Sequence, residues 1–426
     1  MDVHVVMASD AGYLMPLTVT LHGMCENGSP ANTYVVHLIT PAELDLAASP
    51  LVAAVCARHA NLRLEQVRVP ASLHERFCRI VEGTYLAPSS CYRLAIGELL
   101  PELDRCVYLD CDVSVQGDIA ELYCEELGDA SVGAVRDPVC GLNGPFAHNH
   151  QQILGFSYDM RYFCAGIMLM DLARMRERGH LERMANARME GTLFGDQDVL
   201  NTLLRGDVRL LPLRYDVLVK EWTSRAPHFL ASYPADEVAQ VDAGGAVVLH
   251  YAGPEDKPWA YLQLRSSEPW LRQAQDILPA DELAGVWDRW RARWEELSEE
   301  HLLERCAAAR RVFVHGFTRH GRACVDLLAA HGIAVEAFTD NNSAHVGLSH
   351  AGIVCLQPAD ARVAQEGTLV VVASQVNHAQ VIHSLASLGV ERANVVRFFN
   401  HQDAFYRSQL RPAFAQLPWP QGEVPV

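Results

Sequence analysis

Val107-Tyr108-Leu109-Asp110-Cys111-Asp112-Val113-Ser114-Val115 is the stretch on which the fold turns. A hydrophobic run stops on two carboxylates separated by one residue. In extended backbone, residues i and i+2 point the same way, so Asp110 and Asp112 share one side and Cys111 turns back toward the core. Two hard oxygen ligands at the mouth of a strand suit a divalent cation such as Mn²⁺ or Mg²⁺. Such an ion neutralises a leaving diphosphate. A strand followed by a polar turn explains the same residues when they are taken alone.

The flanking sequence alternates apolar runs with helical patterns. Val3 to Ala8, Val35 to Ile39 and Leu62 to Val67 read as strands, and Pro41 to His59 reads as one helix. Strand–helix alternation argues an α/β sheet, mostly parallel, with its ligand at the carboxyl ends of the strands. With 426 residues, two domains are expected. The balance of 35 basic against 52 acidic residues, net −17, excludes general binding of nucleic acid or anionic lipid. Met1-Asp2-Val3-His4 opens neither a secretory signal nor a membrane helix, so a cytoplasmic protein is expected, with at most peripheral contact at the inner membrane face. Twelve cysteines are scattered without Cys-x-x-Cys, which reads as reduced thiols rather than a zinc site or disulfide framework.

A series of further motifs follows in order: Ser9-Asp10-Ala11-Gly12-Tyr13, Ser90-Cys91-Tyr92-Arg93, the Asp110/Asp112 run, Phe163-Cys164-Ala165-Gly166, Gly195-Asp196-Gln197-Asp198, and His250-Tyr251-Ala252-Gly253 leading to Lys257-Pro258-Trp259. This series resembles the retaining glycosyltransferases of family 8, over roughly residues 1–260. The resemblance implies a GT-A-type mixed sheet flanked by helices, a nucleotide-sugar donor (UDP-linked), and a glycan, glycolipid or other hydroxyl acceptor.

Residue by residue, the resemblance implies the following. Asp110, Asp112 and His250 are metal ligands, and a mixed carboxylate–imidazole set favours Mn²⁺ over Mg²⁺. Asp10 and Tyr13 hold the base, and Ala8 and Cys111 line the same donor pocket. Arg93 reaches the phosphates, with Gly253 allowing backbone approach and Lys257 placing a cation on them. Asp137, Cys164 and Ala165 touch the donor sugar. Gln197 stabilises the reacting centre from the β-face and Asp196 holds sugar hydroxyls. An amide is a feeble nucleophile, so a front-face mechanism is expected. Asp196-Gln197-Asp198 also suits the capping of a helix N-terminus. Two departures stand out. Cys164 replaces the family's Asn, and a thiol is a weak hydrogen-bonding group, so an altered donor sugar is expected. Three residues, Pro254, Glu255 and Asp256, separate Gly253 from Lys257 where the family has two.

Residues 261–307 read as a helical linker rich in Trp and Arg, with Asp281 to Ala309 one helical pattern and Trp287, Trp290, Trp294 and Leu297 on one face. A packed connecting helix and a membrane-surface helix both fit; Glu295, Glu296, Glu299 and Glu300 oppose the second. Residues 308–400 read as a small Rossmann-like domain: strand Arg311 to His315, helix Arg322 to His331, strand Ile333 to Phe338, strand Leu369 to Ala373, and a last run ending at Phe399. Thr318 stands where the dinucleotide fingerprint wants its middle glycine, although Gly316, Gly321 and Asp340 are in place. Scaffolding or homo-oligomer formation is therefore expected of this domain. Residues 401–426 form a Pro-rich tail. Two rivals to the transferase reading stay open: a transferase-like assembly subunit without turnover, and a nicotinamide-dependent oxidoreductase acting through the second domain.

Overall fold

The computed structural model describes residues 1–82, 86–138, 161–188, 192, 194–225, 227–253, 257–260, 267–373 and 378–398. The Pro254-Glu255-Asp256 insertion and the Pro-rich tail lie outside the described residues, as do the side chains of Trp294 and Leu297. The chain divides into two compact units, Met1–Pro258 with Ser266–Leu283, and Trp259–Arg265 with Ala284–Val426.

In the first unit the strands are β1 Asp2–Ala8, β2 Thr33–Pro41, β3 Leu62–Val69, β4 Arg105–Leu109, β5 Val113–Val115, β6 Val132–Arg136, β7 Phe163–Asp171, β8 Val208–Leu211, β9 Val217–Leu218 and β10 Val248–His250. Seven of them form a mixed sheet in the order β3-β2-β1-β4-β7-β6-β8. β1 runs parallel to both β2 and β4, and β7 lies antiparallel between β4 and β6. A smaller sheet, β5-β10-β9, brings Val113 opposite His250. Both faces of the large sheet are covered, which explains the near-continuous apolar character of β1 and β2. Alternation along a strand sorts the side chains. Val107 and Leu109 join the core on one face, while Cys106 and Tyr108 join the core on the other.

The expected single helix over Pro41 to His59 is instead a short 3₁₀ turn, Leu46–Ala48, followed by a helix over Pro50–Arg58. Ser49 accepts a hydrogen bond from the Val52 amide as N-cap and Pro50 occupies the first turn, where its missing N–H costs nothing. The helix Ser267–Ile277, read above as linker, groups with the first unit. Its buried Gln273 accepts from Ser114 Oγ at 2.7 Å and donates to the Val115 carbonyl at 2.6 Å, fastening it to β5.

The second unit holds β11 Arg311–His315, β12 Ala337–Thr339, β13 Ser349–His350, β14 Ile353–Leu356, β15 Thr368–Val372 and β16 Val395–Arg397, in the order β13-β14-β12-β11-β15-β16. All neighbours are parallel except the β13–β14 pair, so the central order is that of a doubly wound sheet. The expected Asp281–Ala309 helix is two helices, Ala280–Leu297 and Glu299–Ala308, broken at the N-cap Ser298. Trp287 and Trp290 are buried, with ring centroids 5.0 Å apart and edge-to-face. Thr318, which breaks the dinucleotide fingerprint, has a structural role. It caps the helix Arg319–Ala330 by accepting from the Gly321 amide at 3.2 Å. Among the described residues no helix is long and apolar enough to cross a membrane.

Candidate active site

Asp10 follows β1 and the Asp110–Asp112 segment follows β4, so both sit at carboxyl ends of adjacent parallel strands, where open α/β sheets bind ligands. The Asp110 amide donates to the Gly166 carbonyl at 2.8 Å and the Tyr251 amide to the Asp112 carbonyl at 3.0 Å. Cys111 turns inward and its thiol meets the Ala8 carbonyl at 3.1 Å. Thr20 Oγ1 contacts the carbonyls of Cys111 and Val113 from behind, at 2.9 and 2.8 Å. The segment is thus held by its backbone, leaving both carboxylates to face one way.

Asp110, Asp112 and His250 come together with ligand atoms within 4.8 Å of one another. His250 Nε2 lies 3.6 Å from Asp112 Oδ1, too far for a hydrogen bond, and Asp112 Oδ1 is buried without a hydrogen-bond partner. A buried, orphaned carboxylate oxygen facing an imidazole nitrogen fits a divalent cation between them. Gly166 makes the close approach possible. A Cβ there would fall 2.3 Å from His250 Cε1 and 3.0 Å from Asp110 Oδ2.

The surrounding charges push the two aspartates apart. Burial raises the Asp110 carboxyl pKa; Arg93 opposes this and Asp112 adds to it, leaving a net rise. Burial would raise Asp112 too, but the Lys257 ammonium and His250 hold it far below the usual range. Lys257 is buried, bonded to Asp112 Oδ2 and, at 2.8 Å, to the Tyr251 carbonyl. It is therefore paired with a metal-ligand candidate. Arg93 likewise reaches carboxylates. It pairs with Asp110 at 2.7 Å and Asp196 at 2.9 Å, donates to the Ala165 carbonyl at 2.6 Å, and stacks 4.5 Å over Tyr108. It acts as a clamp joining the end of β4, the start of β7 and the N-terminus of the helix Asp196–Leu203. Burial pushes the Asp196 carboxyl up to about 6, with Arg93 opposing and Asp110 reinforcing.

Gln197 opens the helix Asp196–Leu203 and is fixed at both ends of its amide: Oε1 accepts from the Ala165 amide and Nε2 donates to Asp137 Oδ2, each at 2.9 Å. Asp10 accepts from the Gly12 amide at 2.9 Å and from Ser89 Oγ at 2.6 Å. Tyr13 lies close enough to the carboxylates that burial, then Asp112, Cys111 and Asp110, hold its phenol protonated. Gly253 has φ +90°, a conformation that glycine alone adopts without strain.

A model of the family described as "Glycosyl transferase family 8" matches residues 4–263. The chain belongs to glycosyl transferase family 8. Among curated relatives, "Glycosyltransferase GlyF" of Streptococcus pneumoniae is 26% identical over 273 residues, 62% of this chain and 60% of that protein. "Lipopolysaccharide 1,2-glucosyltransferase" of Escherichia coli K12 is 28% identical over 199 residues, 44% of this chain and 54% of that protein. The chain thus spans a little over half the length of these relatives. Among solved structures, the galactosyltransferase LgtC in complex with donor and acceptor sugar analogs superposes with a TM-score of 0.51 at 24% identity, over 67% of this chain and all (100%) of that one. The bifunctional glycosyltransferase WbbM gives 0.53 at 20% identity, over 68% and 52%. These two likenesses speak for the fold.

Two features of this family 8 chain escape a reading by motif. The Cys164 thiol is buried 3.6 Å from His250 Nδ1. Asp216, fully buried, lies 3.0 Å from the same Nδ1. A carboxylate only accepts, so Nδ1 carries the proton toward Asp216 and Nε2 faces Asp112. Asp216 sits in the apolar run Leu213 to Val219, and a lone acid in such a run was the available signal. Asp198 and Asn201 are framework: Asp198 accepts from Tyr162 Oη at 2.5 Å, and Asn201 brackets the Phe163 amide and carbonyl at 2.9 Å each.

Proposed function

We propose that this protein is a metal-dependent, configuration-retaining glycosyltransferase that moves a hexose from a nucleotide-diphosphate sugar, UDP-linked, to a hydroxyl of a bacterial glycan or glycolipid. The observation that carries this reading is the Asp110, Asp112 and His250 cluster with its orphaned Asp112 oxygen, in a chain of this family. Asp110, Asp112 and His250 would hold Mn²⁺, which neutralises the diphosphate as it leaves. Asp10 and Tyr13, which follow β1, would receive the base. Gln197, anchored to the Ala165 amide and Asp137, would present a fixed dipole to the reacting sugar. That preorganisation suits stabilisation of an oxocarbenium-like centre. In the front-face route the acceptor oxygen bonds the anomeric carbon as the carbon–phosphate oxygen bond breaks on the same side. The acceptor proton passes to the departing diphosphate oxygen. The LPS transferase relative supports a bacterial-glycan acceptor.

The deciding experiment is hydrolysis and transfer across a panel of nucleotide sugars, with Mn²⁺ and with excess chelator. One donor should turn over only with metal, giving an α-linked product from an α-configured donor. Full turnover in chelator, or a β-linked product, overturns the reading. Absence of turnover with tight donor binding would instead favour an assembly subunit, and nicotinamide reduction an oxidoreductase.

A further inference from the structure

On the first unit, two buried histidines and a glutamate meet in a group separate from Asp110, Asp112 and His250. His22 and Glu26 are one helical turn apart on Leu14–Asn27, and His59 caps the C-terminus of Pro50–Arg58. Their ligand atoms lie within 4.8 Å of one another. We propose that His22, Glu26 and His59 bind a transition-metal ion, with Zn²⁺ the best match, at a site separate from the one proposed for sugar transfer.

The chemistry of the donors supports this. Both imidazoles are buried, and burial lowers the pKa of each, so they are held in the neutral form that ligates metals. The orientation of His22 is fixed. Its Nε2 lies 3.0 Å from Asp276 Oδ2, and a carboxylate only accepts, so Nε2 carries the proton and Nδ1 the lone pair. This is the carboxylate–histidine arrangement that sets a metal ligand's tautomer. His22 Nδ1 then faces His59 Nε2 at 2.9 Å. Two nitrogens on one tetrahedral zinc, at about 2.0–2.1 Å each, stand roughly 3.3 Å apart, so the pair needs to open by only about 0.4 Å. Glu26 is exposed and supplies an anionic third ligand, leaving a fourth position for water. Arg58 also pairs with Asp276 at 2.6 Å, so the charge of Asp276 is already balanced and Glu26 is the carboxylate that meets the ion. Two imidazoles and one carboxylate suit zinc, whereas Asp110 and Asp112 make a harder site.

The site would join two helices, the first of which also carries Thr20, whose hydroxyl grips the Cys111 and Val113 carbonyls. Zinc there therefore braces the helix that backs the donor site.

The test uses full-length protein stripped with chelator and titrated with Zn²⁺ alone, reading bound zinc per chain and Tm. Wild type and Asp112→Asn should both retain a zinc equivalent that raises Tm. Glu26→Gln and His59→Gln should lose that equivalent, or bind it at least roughly tenfold more weakly. The glutamine at 59 still offers an N–H to His22 Nδ1, so a pair that only hydrogen-bonds survives the change. Glu26→Gln alters an exposed side chain and leaves the buried pair intact. Equal zinc stoichiometry, affinity and Tm shift in wild type and both variants would overturn the proposal. So would loss of all zinc in Asp112→Asn alone.

Discussion

Gly166→Ala isolates the geometry of the proposed metal site from its chemistry. The residue lies in β7 with φ outside the left-handed region, so its backbone does not require glycine. Alanine would by itself gain roughly 0.5–1 kcal/mol from a less flexible unfolded chain. Any loss must come from space. The new Cβ would meet His250 Cε1 at 2.3 Å, Nε2 at 2.9 Å and Asp110 Oδ2 at 3.0 Å. Relief to ordinary contact near 3.4 Å demands a displacement of about 1 Å. His250 cannot turn freely, because Nδ1 is tied to the buried Asp216 at 3.0 Å. Overpacking of this kind costs about 1–3 kcal/mol, so the net effect on stability is small, near 0–2.5 kcal/mol. Misplacing a reacting or ligating group by 1 Å costs about 100-fold in rate. The expected pattern is a Tm close to wild type with Mn²⁺ affinity and kcat/KM both down by ten- to hundredfold. Mn²⁺ titration, donor hydrolysis and thermal melts read the three quantities. A Gly166→Ala protein with unchanged metal affinity and turnover would refute the placement of His250 and Asp110 around one ion.

Asp216→Asn keeps the size of the side chain but removes the charge that orients His250; Mn²⁺ affinity should fall about 10–100-fold, and an unchanged affinity would reduce Asp216 to packing. Activity should decline as pH falls through about 6, because Asp196 then gains a proton and its ion pair with Arg93 is lost. The sign for stability is the opposite: a carboxyl whose folded pKa is raised from 3.8 makes its contribution in the protonated form, and that contribution fades as pH rises from there through about 6. Asp196→Asn should remove this acid limb from kcat/KM, and a limb that persists belongs to another group. Arg93→Met leaves Asp110 and Asp196 without their cation and should lower the unfolding free energy by about 3–5 kcal/mol in urea titrations. A loss below about 1 kcal/mol would show that the clamp is incidental.

What the sequence made legible follows from range. Asp110 and Asp112 announce themselves locally, since a strand's period of two puts both on one side. Their cluster with His250 could be expected from the order of the motifs. Local pattern could not say where long side chains end. Lys257 and Arg93 carry their charges on long side chains, and burial leaves them little solvent, so each pairs with a nearby carboxylate. Motif order could not show that Cys164, a small buried thiol, also lies against His250. The helix expected over Pro41 to His59 fails for a local reason, since Ser49-Pro50 is a start signal in the middle of the pattern. In the second unit the β13–β14 hairpin is hard to read because its strands are short, Ser349–His350 and the apolar Ile353–Leu356, while Thr318, read as the residue that breaks the dinucleotide fingerprint, has a hydroxyl that suits an N-cap.

The charges in the site give one reason for a cation that does not depend on any motif. Asp110, Asp112, Asp196 and Asp216 face Arg93, Lys257 and His250, and all are buried or nearly so. Burial alone would lower the His250 pKa, yet Asp216 and Asp112 drive it well above its ordinary value. The acids therefore draw a proton onto His250 as the remaining available positive charge. A divalent ion between Asp112 Oδ1 and Nε2 supplies that charge directly and satisfies the orphaned oxygen at once. Asp216 still holds Nδ1–H in either state, so the imidazole keeps its orientation while the proton on Nε2 is exchanged for metal. The same buried acid thus fixes the ligand's direction and strengthens the site's demand for positive charge.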